Sequence, residues 1–251
     1  MAAAISRWIA ALLLPLVASL ATAAAAGPAA DGDGAAAGRV KSGTGFFVSR
    51  DGFLVTGAHV VSGCRDLSVW ASDGSERRSY VIAADPRLDV ALLWADGRRL
   101  GQSAVASHGP PRTGEEVFTL GFGVFATTPL RPLLVEGSLM GDSTALPGNR
   151  VLMIRARLHA GNSGGAVLAG DGSLVGMIIG RDEAHPDLGV ALPSADIEAL
   201  LSTYGIVLPQ RDPTGNARDF LGAISALIQC SPTGGRVASP RGARLGERPM
   251  Q

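Results

Sequence analysis

The sequence predicts an all-β protein built from two small antiparallel barrels that follow one another along the chain. Short apolar runs alternate with turns rich in glycine and proline, which is typical of β proteins. No helical segment links neighbouring runs, so parallel β-α-β units are not expected. A Gly/Pro/Ser-rich stretch over residues 101–114 divides the runs into two sets and predicts the boundary between the barrels.

Each set of apolar runs predicts five or six short strands. The Asp-Gly pairs at 51–52 and 171–172 lie between consecutive runs, where such a pair is a strong signal for a β-hairpin. A short helix is predicted after the second set, over residues 195–204. The predicted strands span residues 45–48, 53–56, 67–70, 80–83, 90–94, 116–121, 133–140, 151–156, 166–168, 174–179 and 188–192.

Composition narrows the possible functions. The 251 residues include 22 basic and 22 acidic side chains, and this balance gives no support for binding nucleic acid or an anionic membrane surface. No His/Cys cluster has the spacing of metal ligands, and no phosphate-binding loop is present. We therefore expect neither a metal nor an organic cofactor.

The N-terminus has the layout of a secretory signal peptide over residues 1–26. Arg7 precedes an apolar core, and small residues suited to cleavage follow it. The alternative is an uncleaved anchor, which needs about 20 apolar residues. Pro15 and the alanine-rich end favour cleavage. We expect a periplasmic or secreted protein with no stable membrane insertion after cleavage, and a flexible linker over residues 27–41.

Export also affects the interpretation of the two cysteines. In an oxidising compartment Cys64 and Cys230 are candidates for a disulfide. The alternative is a pair of buried free thiols.

The segment over residues 160–167 places Ser163 among three glycines, just before an apolar run. Glycine allows backbone conformations and close approaches that other residues do not. The N–H groups of Gly161 and Ser163 could therefore point to one spot beside the Ser163 hydroxyl, as in an oxyanion hole. The alternative is a glycine-rich turn between two strands.

A serine nucleophile needs a base, usually an imidazole oriented by a carboxylate. Of the four histidines, only His59 lies at the end of an apolar predicted strand; the alternative role is a buried structural histidine. Asp89 directly precedes another apolar run, where a carboxylate needs a hydrogen-bond donor. Asp85 is the competing carboxylate, but it precedes Pro86 and is typical of a turn.

Four motifs resemble those of the trypsin-like serine proteases, in the His, Asp, Ser order of the chymotrypsin clan. A later segment, Gly-Val-Ala-Leu-Pro-Ser at 189–194, is most similar to the bacterial HtrA/DegP branch. The resemblance covers residues 42 to about 204. The motifs are Ser-Gly-Thr-Gly-Phe-Phe-Val at 42–48, Thr-Gly-Ala-His-Val-Val at 56–61, Leu-Asp-Val-Ala-Leu-Leu at 88–93 and Gly-Asn-Ser-Gly-Gly at 161–165.

The resemblance implies a double β-barrel with the triad in the cleft between the barrels. It assigns His59 as general base and then general acid, Asp89 as its orienting partner, and Ser163 as nucleophile. Protein or peptide substrates are implied, cleaved through an acyl-enzyme intermediate. In this family the side chain before the scissile bond lies between the segment preceding the nucleophile and a later strand.

That position predicts a substrate pocket lined by Leu158, Ile179 and Gly180, suited to small or medium aliphatic side chains. Arg157 and His159 could instead point into the pocket and change this preference. No acid occupies position 157, so cleavage after lysine or arginine is not expected.

The chain departs from the family at both ends. Fewer than fifty residues follow Tyr204, so we expect no PDZ module. No apolar run precedes residue 42 to form the usual first strand. We expect a helix beginning at Ala217 and a strand over 223–230 that replaces the missing strand on the first barrel, with Cys230 bonded to Cys64. The alternative is a frayed terminal helix.

The residues leave alternative functions open. The main functional alternative is a non-catalytic or latent peptide-binding, chaperone-like module on the same fold. A serine esterase or acyl transferase of the α/β-hydrolase type is disfavoured, because no Gly-x-Ser-x-Gly elbow is present. The oligomeric state is not predicted. The predicted segments are a signal peptide (1–26), linker (27–41), first barrel (42–108), second barrel with helix (109–209), returning segment (210–230) and disordered tail (231–251).

Overall fold

The computed structural model describes residues 40–107, 109–123, 131–146, 149–182, 184–210 and 216–232. The predicted signal segment and nearly all of the predicted linker and tail lie outside these residues. None of the described helices combines the length and apolar composition needed to cross a membrane. The elements are β1 (Lys41–Phe47), β2 (Phe53–Thr56), α1 (Ala58–Val61), β3 (Asp66–Ala71), β4 (Glu76–Asp85), β5 (Val90–Ala95), β6 (Glu116–Gly121), β7 (Leu133–Leu146), β8 (Asn149–Arg155), β9 (Ala166–Ala169), β10 (Leu174–Arg181), β11 (Leu188–Pro193), α2 (Ser194–Thr203), α3 (Ala217–Ile224) and β12 (Ser225–Ser231).

The first barrel is a closed antiparallel sheet in the order β1-β12-β3-β4-β5-β2. Strand alternation directs apolar side chains such as Phe47, Leu54 and Leu93 into its core, where each is at most 1% exposed. The predicted hairpin between β1 and β2 is present. Its Gly52 has φ +99°, and a side chain there would begin 2.2 Å from the Ala95 carbonyl oxygen, so only glycine fits.

The second barrel is also closed and antiparallel, in the order β10-β11-β8-β7-β6-β9. The predicted Asp-Gly hairpin joins β9 to β10, and Asp171 accepts a hydrogen bond from the Ser173 N–H at 2.9 Å. Helix α2 follows β11 and buries Ile197 and Leu201. Two closed barrels of six strands each confirm the predicted fold class.

The C-terminal strand β12 completes the first barrel. It pairs with β1 on one side and with β3 on the other, so all seven of its residues are buried. The expected C-terminal strand on the first barrel is therefore present. It begins at Ser225 rather than 223, because α3 continues to Ile224. A disulfide links Cys64 to Cys230 with a Cα–Cα distance of 5.3 Å.

The segment between the barrels is packed between them. Ala104, Val105 and Ala106 are at most 1% exposed. The Ala104 N–H donates to the Phe47 carbonyl in the first barrel at 2.8 Å, and the Val105 carbonyl accepts from Leu174 in the second at 3.0 Å. These bonds join the connecting segment to both barrels.

Candidate active site

His59 lies on the one-turn helix α1, directly after β2. The sequence predicts this histidine at the end of a strand, but β2 ends at Thr56. A strand would place alternate residues on opposite faces. Here Ala58, Val60 and Val61 are all buried, while the His59 side chain is half exposed, and a helical turn satisfies this pattern.

Asp89 contacts His59 through both carboxylate oxygens. Its Oδ2 lies 2.7 Å from His59 Nδ1, and its Oδ1 accepts the His59 backbone N–H at 2.9 Å. Asp89 has φ +55° and is the one non-glycine residue with positive φ in the described part of the chain. Aspartate tolerates this left-handed conformation better than most residues. This backbone conformation directs the Asp89 carboxylate at the His59 imidazole.

The competing carboxylate, Asp85, does not contact His59. Its Oδ1 accepts the backbone N–H groups of both Arg87 and Leu88, at 2.8 and 3.3 Å. Asp85 therefore stabilises the turn between β4 and β5, as its position before Pro86 indicates.

The pKa of His59 is raised above its ordinary value of 6.5. The hydrogen bond that His59 donates to the Asp89 carboxylate is the main cause, while partial burial and the positive charge of Lys41 oppose it. A raised folded-state pKa means that the contact with Asp89 stabilises the fold below the ordinary histidine pKa. This contribution is lost as the pH rises through the folded-state pKa.

Ser163 lies in the loop between β8 and β9, and the glycines around it have specific roles. Gly161 has φ +97° and Gly164 has φ +82°. A Cβ atom at Gly161 would lie 2.6 Å from the Gly123 backbone, and one at Gly164 would lie 2.1 Å from the Thr44 carbonyl oxygen. The loop therefore needs glycine both for its backbone torsions and for the close approach of neighbouring segments.

Backbone hydrogen bonds fix this loop without using the N–H groups of Gly161 and Ser163. The N–H groups of Asn162, Gly164 and Gly165 donate to carbonyl oxygens at 2.7–3.1 Å. Among the hydrogen bonds of the described residues, the N–H groups of Gly161 and Ser163 have no acceptor. These are the two groups predicted to form an oxyanion hole, and the resting loop leaves both available.

The structure brings the Ser163 loop and the helix that carries His59 to the same residue of β1, Gly43. A Cβ atom at Gly43 would lie 2.8 Å from the Val60 side chain and 3.2 Å from the Ser163 carbonyl oxygen. Within the described residues, no hydrogen bond joins the Ser163 hydroxyl to the imidazole. Such catalytic contacts are often long in unliganded enzymes and shorten when substrate binds.

A cavity of about 120 Å³ opens beside Ser163. Leu158 and Gly180 are among the residues that line this cavity, and Ile178 lines it where the sequence predicts Ile179. The pairing of β10 with β11 shifts register between Ile178 and Gly180, which is a β-bulge. A bulge adds one residue to the strand and re-aims the neighbouring side chains, an effect that alternation in the sequence does not predict. The lining residues are Leu158, His159, Ala160, Asn162, Ser163, Ile178, Gly180 and Arg181.

Thr44 lies in the 42–48 motif, and the sequence predicts no individual role for it. The buried Thr44 donates its hydroxyl to the Gly161 carbonyl oxygen at 2.6 Å. The two residues are 117 positions apart, so no local signal identifies the contact.

No cluster of three or more His, Cys, Asp or Glu residues in the described ranges could hold a metal ion.

The family model described as "Trypsin-like peptidase domain" matches residues 43–177, which is more than half of the chain. The chain belongs to the trypsin-like peptidase family. The match covers the His59, Asp89 and Ser163 positions and ends within β10. The predicted membership of this family is therefore confirmed.

Relatives within the family include DegP-like proteins, as predicted. A Pseudomonas putida protein (strain W619) named "Probable periplasmic serine endoprotease DegP-like" is 31% identical over 60% of this chain and 32% of its own length. Serine protease Rv3671c of Mycobacterium tuberculosis H37Rv is 31% identical over 68% of this chain and 44% of its own length. The chain therefore spans less than half the length of these relatives.

A solved structure gives the same result at the level of the fold. The crystal structure of the active form of the Rv3671c protease from M. tuberculosis superposes with a TM-score of 0.59 and 26% identity. The match covers 72% of this chain and 80% of that chain.

Proposed function

We propose that this protein is an exported serine endopeptidase that hydrolyses peptide bonds with Ser163 as nucleophile. The observation that carries this proposal is the His59–Asp89 pair beside a glycine loop with two N–H groups free to bind an oxyanion. Family membership and the names of the relatives support the same activity. Protein or peptide chains are the proposed substrates.

The first half of the reaction forms an acyl-enzyme. Asp89 holds the Nδ1–H of His59, which leaves the Nε2 lone pair to accept the proton of the Ser163 hydroxyl. The serine oxygen bonds to the carbonyl carbon, and the carbonyl electron pair moves to oxygen. The free N–H groups of Gly161 and Ser163 stabilise that oxyanion.

The second half releases the products. The His59 imidazolium, stabilised by the Asp89 carboxylate, protonates the leaving amine as the C–N bond breaks. Water then attacks the acyl-enzyme, and His59 accepts a proton from it. Transfer of that proton back to Ser163 releases the new carboxylate and restores the enzyme.

The cavity beside Ser163 is the proposed site for the substrate side chain that precedes the scissile bond. Leu158 and Ile178 provide apolar walls, and a volume of about 120 Å³ suits a small or medium aliphatic group. His159 and Arg181 are also among the lining residues, and none of those residues is acidic. A lysine or arginine side chain would find no partner there, so cleavage after basic residues is disfavoured.

Export is proposed from the layout of residues 1–26 and from the periplasmic relatives named above. The Cys64–Cys230 disulfide suits an oxidising compartment. Fractionation of a bacterial host that expresses the full chain tests this point, together with N-terminal sequencing. We expect a periplasmic or secreted product that begins near residue 27; a cytoplasmic full-length product would contradict export.

Hydrolysis of an internally quenched peptide library by the exported protein tests the activity. Ser163→Ala is expected to abolish hydrolysis that depends on the enzyme. Ser225→Ala is the control, because this serine lies in β12, outside the nucleophile loop, and its buried hydroxyl has no hydrogen-bond partner among the described residues. Equal hydrolysis by wild type and Ser163→Ala would contradict the proposal. Peptide binding without any turnover would favour the non-catalytic module.

A further inference from the structure

Thr44 belongs to the first barrel but contacts the nucleophile loop of the second. Its side chain lies in the interior of the protein, with 0% exposure. Its backbone N–H donates to the Ser163 carbonyl oxygen at 2.9 Å, and its hydroxyl donates to the Gly161 carbonyl oxygen at 2.6 Å. The hydroxyl oxygen also accepts the Phe122 N–H at 3.3 Å. Thr44 therefore contacts both residues whose N–H groups are proposed to bind the oxyanion.

We propose that Thr44 is a positioning residue that holds the oxyanion loop in its active arrangement before substrate binds. The proposal rests on the proposed function, since it concerns the same Ser163 loop. Thr44 does not contact the reacting atoms. It acts by fixing two carbonyl groups so that the N–H groups of Gly161 and Ser163 stay directed at the oxyanion.

Glycine explains why the loop needs such a contact. Only the φ and ψ torsions of Gly161 separate its carbonyl group from its own N–H. Without a Cβ atom, glycine adopts positive and negative φ with similar ease, so its own preference does not hold φ at +97°. The hydrogen bond from Thr44 fixes the carbonyl and thereby restricts the direction of the N–H. An unsatisfied buried carbonyl is costly, which disfavours a flipped peptide.

Thr44 is also connected to the segment that carries the histidine. The hydroxyl of Thr56, at the end of β2, donates to the Thr44 carbonyl oxygen at 2.6 Å. Thr56 precedes α1 by two positions, so buried hydrogen bonds link the end of β2, just before the His59 helix, through Thr44 to the Gly161 carbonyl. Such networks become rigid when every member is satisfied. Each polar group of Thr44 named here has a partner.

Thr44→Val tests the proposal, because valine keeps the shape of threonine but removes the hydroxyl. We expect kcat to fall roughly 10- to 100-fold with KM nearly unchanged, since small errors in catalytic geometry have effects of this size. The affinity for a peptidyl trifluoromethyl ketone, whose adduct carries the oxyanion, should fall by a similar factor. Thr44→Ser should restore kcat.

Thr119→Val is the matched control. Thr119 is buried in β6 near Gly165, but its hydroxyl has no hydrogen-bond partner, so its removal should leave kcat unchanged. Kinetics are measured below the onset of thermal unfolding of every variant. If Thr44→Val does not fold, Thr44→Ala removes the same hydroxyl without adding a methyl group near the Gly161 carbonyl.

Hydrogen exchange followed by mass spectrometry measures the loop independently of turnover. We expect the peptide over 159–165 to exchange at least several-fold faster in Thr44→Val than in wild type or Thr119→Val. Unchanged kcat and exchange in Thr44→Val would overturn the proposal, as would equal losses in Thr44→Ser. If wild type shows no Ser163-dependent hydrolysis, the proposed function fails. The exchange rates then still decide whether Thr44 holds the loop.

Discussion

The Cys64–Cys230 disulfide should contribute a large share of the stability of the folded protein. It joins residues 166 positions apart, and the chain-entropy model gives about 5 kcal/mol at 25 °C for a loop of that length. Measured values fall at about 2–5 kcal/mol, because residual structure in the unfolded chain lowers the effect. For a protein of this size that corresponds to roughly 4–20 °C in the midpoint of thermal unfolding.

Two perturbations separate the cross-link from the side chains. Reduced wild type loses only the covalent bond, whereas the double variant Cys64→Ala/Cys230→Ala also loses sulfur atoms that pack in the first barrel. Pairing of β12 with β1 and β3 remains in both, so we expect a folded but less stable protein. Thermal and urea unfolding, followed by circular dichroism, give the differences in midpoint and free energy.

In the chain-entropy model the disulfide stabilises the fold by restricting the unfolded chain. Reduction alone should therefore account for most of the loss of stability. The double variant should lie within about 2 kcal/mol of reduced wild type, the scale of one truncated buried side chain. An unchanged midpoint after complete reduction, verified by thiol titration, would refute the reasoning.

Three further variants test the site. Asp89→Asn should lower kcat by about 10³- to 10⁴-fold, and the acid limb of the pH–rate profile should move to lower pH as the histidine pKa loses its main cause of elevation. Gly164→Ala should destabilise the fold by more than about 2 kcal/mol in thermal unfolding, because its Cβ would lie 2.1 Å from the Thr44 carbonyl oxygen. Leu158→Ala should enlarge the cavity and shift peptide-library cleavage towards larger apolar side chains.

Gly164→Ala has a matched control, and each of the three variants has an outcome that would contradict its explanation. Gly63→Ala has a similar φ of +71° with nothing within 4 Å, so it should show only backbone strain, about 1 kcal/mol. Equal losses in the two glycine variants would contradict the steric argument. An unmoved acid limb in Asp89→Asn would contradict the cause assigned to the pKa. An unchanged cleavage preference in Leu158→Ala would remove Leu158 from the pocket.

The strands were predictable because their signals are local. Apolar alternation and Asp-Gly turns depend on neighbouring residues, and both barrels follow from them. The start of β1 was not predictable, because Lys41, Ser42 and Gly43 carry no strand signal of their own. They become extended by pairing with β12 from the far end of the chain. Such tertiary pairing overrides weak local preference.

The candidate site likewise combines features that local sequence predicts with features that depend on tertiary contacts. The motifs identified His59, Asp89 and Ser163 as candidates, and the structure places the first two in hydrogen-bond contact. Ile178 lines the cavity where the sequence predicts Ile179, because a bulge interrupts the pairing of β10 with β11. The role of Thr44 depends on a contact between distant segments. Neither feature has a signature in nearby sequence.

The central claim is that Ser163 is the activated nucleophile of this protein. A fluorophosphonate probe reacts with such a serine, and peptide mapping by mass spectrometry locates the adduct. We expect one adduct per chain, on Ser163, that disappears in Ser163→Ala and is strongly reduced in a His59→Ala variant. No adduct on folded wild type, or an adduct that persists in Ser163→Ala, would contradict it.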